Sequence, residues 1–139
     1  SQQGYYKDYR FQAFTDDSEN IVIFLNSAME LHSARNVLMI SVLLDNALKY
    51  SDENGIIRLD VYKDHSKIKI EVYNTCVLED TKNLSRLFER FYRPDDSRSG
   101  RTGGSGIGLS IAQAVAEAYG GKIKVRSKDG KSILFQVTI

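Results

Sequence analysis

Cysteine and histidine are scarce in this 139-residue chain, and neither sign of charge dominates it. The one cysteine, Cys76, excludes an internal disulfide framework and a cysteine-built zinc site, and it fits a reducing compartment. Two histidines, His32 and His65, are too isolated to make a metal centre. A formal net charge of +1, spread along the chain, speaks against a nucleic-acid-binding surface and against an acidic tail. No apolar run approaches the ~20 residues of a membrane-spanning helix, and no signal peptide opens the chain. The start at Ser1-Gln2-Gln3-Gly4, without an initiator methionine, suggests a fragment of a longer protein that could carry a membrane anchor. What remains is 42% hydrophobic, enough for one compact domain with its own core.

The pattern from Lys7 to Phe14 is short and reads as a helix leading into a first strand, Ile21 to Leu25. Ser33 can cap a helix from Ala34 to about Tyr50, with Val37, Ile40, Leu44 and Leu48 as its apolar stripe. The cluster Asp52-Glu53-Asn54-Gly55 stops it. Ile57, Leu59 and Val61 alternate with polar residues, as do Ile68, Ile70 and Val72, and Asp64-His65-Ser66 turns one run into the other. Lys82 to Phe91 looks helical, whereas Arg93 to Gly106, rich in glycine, serine, arginine and aspartate, reads as a mobile loop. A helix from Ile107 to Tyr119, striped by Ile111, Val115 and Tyr119, ends at Gly120-Gly121. Strands Lys122 to Lys128 and Ser132 to Ile139 join at Asp129-Gly130. These elements predict an α+β two-layer sandwich, a mixed and mostly antiparallel sheet of about five strands covered on one face by about three helices.

Two segments carry chemistry. In Leu43-Leu44-Asp45-Asn46-Ala47-Leu48-Lys49-Tyr50, helical spacing presents the Asn46 amide, the Lys49 ammonium and the Tyr50 phenol on one face. An amide oxygen is a hard ligand suited to Mg²⁺, and a neighbouring lysine can neutralise phosphate, although a solvated helix end would look the same. The second segment, Gly103-Gly104-Ser105-Gly106-Ile107-Gly108-Leu109-Ser110, stands where a loop becomes a helix. Free backbone N–H groups and the positive end of the helix dipole make such a junction an anion site. It is neither a Walker loop, since no Gly-Lys-Ser/Thr follows, nor a dinucleotide fingerprint, since Leu109 replaces the third glycine.

Together the two segments resemble sensor histidine kinases. Leu44 to Tyr50 is similar to their N box, Leu87-Phe88-Glu89-Arg90-Phe91-Tyr92-Arg93 to their F box, and Gly104-Ser105-Gly106-Ile107-Gly108-Leu109 to their second glycine box, in matching order from Ile21 to Ile139. The resemblance implies the Bergerat ATP-binding fold shared with gyrase, the Hsp90 chaperones and MutL, with ATP and Mg²⁺ as ligands and a flexible lid. It implies that residues 1–20 lead in from a dimerisation region and that 21–139 form the catalytic domain. Asn46 would hold Mg²⁺; Lys49 and Tyr50 would face the nucleotide; Gly104, Gly106, Gly108 and Leu109 would supply the phosphate cradle; Arg93, Arg98 and Arg101 would reach the phosphates from the lid. Leu87, Phe88, Phe91 and Tyr92 would anchor the lid, touch the dimerisation helices or face the core.

The chain departs from the family where an aspartate usually reads the adenine amino group and a glycine follows two residues on. Here Val72-Tyr73-Asn74-Thr75-Cys76 stands there. Strand parity puts Asn74 on the covered face with Ile68, Ile70 and Val72. Its amide can still accept the bond but, lacking full charge, should be a weaker acceptor, and Cys76 narrows the base pocket. Cys76 itself reads as a small packed residue. Neither histidine suits a phosphoacceptor, so no catalytic residue is assigned. The partners implied are the histidine-bearing dimerisation domain of the same protein and a response regulator. The isolated piece would be a cytoplasmic monomer, and its parent a homodimer anchored in the bacterial membrane. Competing readings are a degenerate regulatory scaffold and a serine kinase of the anti-sigma-factor type; the F box and the lid arginines argue against the second.

Overall fold

The computed structural model describes residues 2–6, 9–15, 19–26, 34–93 and 105–139, the first three segments by their backbone alone. Ten elements follow one another: β1 (Gln2–Tyr6), β2 (Tyr9–Thr15), β3 (Glu19–Asn26), α1 (Ala34–Tyr50), β4 (Gly55–Asp64), β5 (Lys67–Thr75), a 3₁₀ turn (Leu84–Phe88), α2 (Gly108–Ala118), β6 (Lys122–Arg126) and β7 (Ser132–Thr138). The strands form one sheet in the order β1-β2-β3-β4-β5-β7-β6. Only β3 and β4 run parallel, with Ile21 opposite Ile57, and α1 is the crossover between them. This is the expected mixed, mostly antiparallel α+β sandwich. It has seven strands rather than about five and, among the described residues, two α-helices and a 3₁₀ turn rather than about three helices.

The two additional strands come from the N-terminus. Tyr9–Thr15, expected to be helical, is a strand paired antiparallel to both neighbours, with Phe11 opposite Gly4 and Phe24. The alternation of Tyr9, Phe11 and Ala13 with Arg10 and Gln12 has the period of two that a strand requires, and a helical reading of it was an error of period. The strand expected at Ile21 is the third of the sheet.

Alternation on the central strands was the better guide. Ile57, Leu59 and Val61 of β4, Ile70 and Val72 of β5, and Phe135 and Val137 of β7 are at most 2% exposed. Against them lie Met39, Leu43 and Ala47 of α1 and Leu109, Ala112 and Ala116 of α2, in one continuous core. Both helices therefore turn a different stripe inward from the one expected. On α1 the buried set sits one residue before the expected stripe, leaving Val37 52% and Leu48 45% exposed; on α2 Ile111 and Tyr119 are likewise exposed. One residue is about 100° of rotation. Each helix is apolar on more than one side, and the smaller residues Ala47, Ala112 and Ala116 let the backbone lie close to the sheet, which periodicity alone does not weigh.

The opposite face of the sheet is polar and hydrogen-bonded. Tyr62 Oη and Gln136 Nε2 both donate to Glu71 Oε1, at 3.0 and 2.5 Å, and Lys69 Nζ donates to Thr138 Oγ1 at 3.1 Å. At one edge of the sheet β6 exposes Lys122, Lys124 and Arg126 around buried Ile123.

Candidate functional site

The C-terminal end of β5 brings a polar side chain into the covered layer. Asn74 lies opposite Ile57 and Ile133 in the ladder and is 1% exposed, as its strand parity requires. Its Nδ2 donates to the Thr75 carbonyl at 3.3 Å. Its Oδ1 is buried and meets no hydrogen-bond donor among the described residues. Such an acceptor normally costs about 1–3 kcal/mol, so a site at which one stands is asking for a donor.

The wall around Asn74 is held by main-chain bonds. The Thr75 carbonyl accepts from the Asp52 N–H at 3.0 Å, which ties β5 to the end of α1. Beyond Thr75, the Cys76 and Leu78 N–H groups donate to the Lys131 and Gly130 carbonyls at 3.1 and 2.8 Å. The β6–β7 turn that supplies these carbonyls is braced by Asp129, whose carboxylate accepts from the Lys131 N–H and from Ser132 Oγ, at 2.9 and 3.1 Å. The Lys131 N–H, foremost, holds the Asp129 carboxyl below the usual carboxylate range. Cys76 is buried at 4% exposure, and burial, reinforced by the negative field of Asp52 and Asp129, pushes its thiol up to about 11. It is packed and unreactive at neutral pH.

Asn46, Lys49 and Tyr50 are half-buried at the end of α1. Lys49 Nζ is paired with Asp45 Oδ2 one helical turn back, at 2.6 Å. Val42, one turn before Asn46 on the same face, touches the start of α2: a Cβ placed on Gly108 would lie 3.5 Å from Val42 Cγ1. The glycine-rich start of α2 thereby lies against α1 one turn before Asn46. The Ile107 side chain caps nothing, and the α2 ladder begins with the Ile111 N–H donating to the Ile107 carbonyl at 3.0 Å. The first-turn amides of Gly108, Leu109 and Ser110 precede that bond and have no partner within the helix. Gly106 has φ +68°, and a Cβ there would come 3.1 Å from Phe91 Cα. The Phe91 N–H donates to the Gly106 carbonyl at 3.0 Å, so the two ends of the expected lid meet. Arg93 is half-buried; Arg98, Arg101 and Gly104 lie outside the described residues, as do His32 and the Ser33 cap.

The segment expected to be helical from Lys82 to Phe91 is a 3₁₀ turn of five residues, Leu84–Phe88. It stops because Glu89 is extended and Phe91 has φ +64°. Its aromatic residues part company. Phe88 enters the core and meets Phe135 edge to face at 6.2 Å, Leu87 packs against that core, Tyr92 lies under the Arg86 guanidinium at 4.4 Å, and Phe91 is 71% exposed. Arg90, Phe91, Ile107, Ser110 and Ile111 line a groove of about 390 Å³ along α2. His65, with φ +55°, occupies the β4–β5 turn, far along the strands from Asn74.

Sequence reasoning missed the roles of Thr75 and Ser132. Thr75 points away from Asn74, and only its pairing shows that its carbonyl and hydroxyl tie β5 to α1 and β4. Ser132 had a signal: Asp129-Gly130-Lys131-Ser132 is a turn in which aspartate can brace a hydroxyl.

Residues 32–139 match the family described as histidine kinase-, DNA gyrase B-, and HSP90-like ATPases. The chain is 38% identical to the probable sensor protein PcoS of Escherichia coli over 99 residues, 71% of this chain and 21% of that protein. It is 37% identical to the phosphate regulon sensor protein PhoR of Pseudomonas aeruginosa over 119 residues, 86% of this chain and 26% of that one. It thus spans about a quarter of the curated relatives it matches. The solved structure of the mycobacterial sensor histidine kinase MprB superposes with a TM-score of 0.67 at 21% identity, covering 88% of this chain and 82% of that one. That likeness is one of fold.

Proposed function

The chain belongs to the histidine kinase-, DNA gyrase B-, and HSP90-like ATPase family, and from that premise we propose that it is the ATP-binding catalytic domain of a two-component sensor histidine kinase. Residues 21–139 form the nucleotide domain, and the segment before them, assigned to the lead-in from the dimerisation region, adds β1 and β2 to the edge of its sheet. The parent protein transfers the γ-phosphoryl group of ATP to a histidine on its dimerisation domain, and from there to an aspartate of a response regulator. The observation that carries this reading is the buried, partnerless Oδ1 of Asn74. It stands at the end of β5, against the layer in which α1 carries Asn46 and α2 begins in uncapped amides. A purine amino group is the donor this acceptor lacks.

The residues fit the nucleotide and its metal. Asn46 is the Mg²⁺ ligand; among the described residues no cluster of three acidic or sulfur and nitrogen ligands exists, and Mg²⁺ characteristically takes few protein ligands and completes its shell with phosphates and water. When bound, Mg²⁺ neutralises charge on the transferring phosphoryl group. The chain's own residues orient and neutralise. Asn74 accepts from the purine, Tyr50 borders the nucleotide, and Gly104, Gly106, Gly108 and Leu109 present amides to the phosphates. Lys49 must leave or share Asp45 to reach them. Arg93, Arg98 and Arg101 add positive charge from the loop. The chemistry is positioning and charge stabilisation, and the group that activates the acceptor histidine belongs to the dimerisation domain. No described helix is long and apolar enough to cross a membrane.

Calorimetric titration of ATP with and without Mg²⁺, on the wild type and on Asn46→Ala, tests this reading. The expected result is binding by the wild type that Mg²⁺ strengthens and a loss of that strengthening in the variant. No wild-type binding at millimolar nucleotide would overturn it.

A further inference from the structure

Strand β6 carries three exposed cations, Lys122, Lys124 and Arg126, on the face of the sheet turned away from the helices. In the ladder they stand beside Thr138, Gln136 and Leu134 of β7, and beyond these come Lys69, Glu71 and Tyr73 of β5. The row between is uncharged, so β7 offers none of the three an opposite charge. The acids of this face are engaged elsewhere. Asp60 pairs with Arg58 at 3.0 Å, Asp64 lies 2.8 Å from His65 and 3.9 Å from Lys69, and Glu71, in the row of Lys124, accepts from Tyr62 and Gln136. Among the described residues no side chain pairs with the β6 cations. The strand also ends the sheet, so among those residues its outward N–H and C=O groups meet no further strand, and such an edge is a template for one. Its other face is apolar. Ile123 is buried, Val125 packs against the core, and α2 and the Leu84–Phe88 turn lie over them.

We propose that the free edge of β6 is a docking site for an extended acidic segment of a partner protein, added to the sheet as a further strand with Asp or Glu at every second position. Residues on one face of a strand recur about every 6.8 Å, twice the rise per residue, so the three cations meet acids at i, i+2 and i+4 of the incoming chain. The residues between those acids fall on the side of Ile123 and Val125 and are apolar. Charge selects the segment, and main-chain bonds to the edge seat it. A surface of anionic lipid headgroups has the charge but no ladder of donors and acceptors, so it leaves the open edge unused. The inference does not rest on the nucleotide reading, whose residues lie on β5, on α1 and around the start of α2.

The experiment is fluorescence anisotropy of the domain with a labelled, capped peptide, Thr-Glu-Val-Glu-Val-Glu-Thr. Beside it are run the same peptide N-methylated at its glutamates, the same N-methylated at its valines, one with lysine for each glutamate, and phosphatidylcholine vesicles containing phosphatidylserine. The acidic peptide should bind and the lysine peptide should not, and the binding should weaken as salt rises. Successive N–H groups of a strand point to opposite sides, so one methylated peptide should bind about tenfold more weakly than the other. Reversing Lys122→Glu, Lys124→Glu and Arg126→Glu together should abolish binding of the acidic peptide and admit the lysine peptide. Lys124→Glu alone should weaken the acidic peptide about threefold or more, and it carries the test if the triple variant fails to fold. Equal affinities of the two methylated peptides, or undiminished binding of the acidic peptide by the reversed proteins, would overturn the proposal. Binding to the vesicles alone would assign the edge to a membrane and overturn it, as would dimerisation that the peptide reverses, which would assign it to another molecule of the same chain. No binding of the acidic peptide at millimolar concentration would overturn it while leaving the nucleotide function standing.

Discussion

Residues 74–78 and the pair Phe91 and Gly106 are built in opposite ways. The first run is held from both sides by main-chain bonds, to Asp52 on one flank and to Gly130 and Lys131 on the other, and it is seated on a core that includes Phe135 and Val137. The second is a single N–H to carbonyl bond between two residues that both have left-handed φ, one of them an exposed phenylalanine. A wall proposed to recognise a base by the placement of one oxygen gains from redundancy. The Phe91–Gly106 junction is defined, among the main-chain bonds of the described residues, by one bond and by two left-handed residues. Precision and compliance are thus assigned to separate stretches of the chain.

The largest effect should come from Phe135→Ala, which removes a ring that is 1% exposed and meets Phe88. It should cost about 3–5 kcal/mol in denaturant unfolding. Because this ring meets Phe88 and shares the core with Cys76, hydrogen exchange should accelerate at 74–78 and at the Leu84–Phe88 turn alike. A change confined to one would show that the two do not share a foundation.

Effects of opposite sign at the loop junction come next. Gly106→Ala should destabilise by about 1–2 kcal/mol, since φ +68° disfavours any side chain and a methyl would press on the Phe91 backbone at 3.1 Å. Phe91→Gly should stabilise by up to about 1 kcal/mol through release of its left-handed strain, its exposed ring giving up little burial. Thermal unfolding of the two variants reads both signs, and a stability loss in Phe91→Gly would mean that the exposed ring contributes more than the backbone strain.

The smallest effect separates the regions by pH. The Cys76 thiol, raised from 9.0 to about 11 mainly by burial, holds its proton more tightly folded than unfolded. It contributes stability that is complete below pH 9.0 and lost as pH climbs through about 11. Stability of the wild type should therefore decline over that interval more than that of Cys76→Ala, and the Phe91 and Gly106 variants should keep the wild-type slope. Identical alkaline slopes for wild type and Cys76→Ala would remove Cys76 from the wall.

Much of this was legible because strand alternation records burial directly: Ile57, Leu59, Val61, Ile70, Val72 and Asn74 all turned out on the covered face. The helices were harder. In α1 an apolar residue stands on almost every side, so the inward stripe was decided by which side chains let the helix approach the sheet, a property of two surfaces rather than of one. The 3₁₀ turn was missed because its end depends on a left-handed phenylalanine, which no propensity favours. The boxes that suggested the nucleotide site were visible as residue types in order, while the orientation of the Asn74 amide depended on a neighbouring carbonyl whose position only the ladder defines.

Among the described residues strand β6 ends the sheet with no further strand on its hydrogen-bonding edge, yet it alternates Lys122, Lys124 and Arg126 with Ile123 and Val125. A second copy laid against that edge would bring these cations close to their own counterparts, at the spacing of about 4.8 Å that separates paired strands. At the concentrations reached during synthesis, that repulsion protects the chain from growing into sheet-linked aggregates through this edge, and neutralising the three side chains would be the quickest way to make it precipitate.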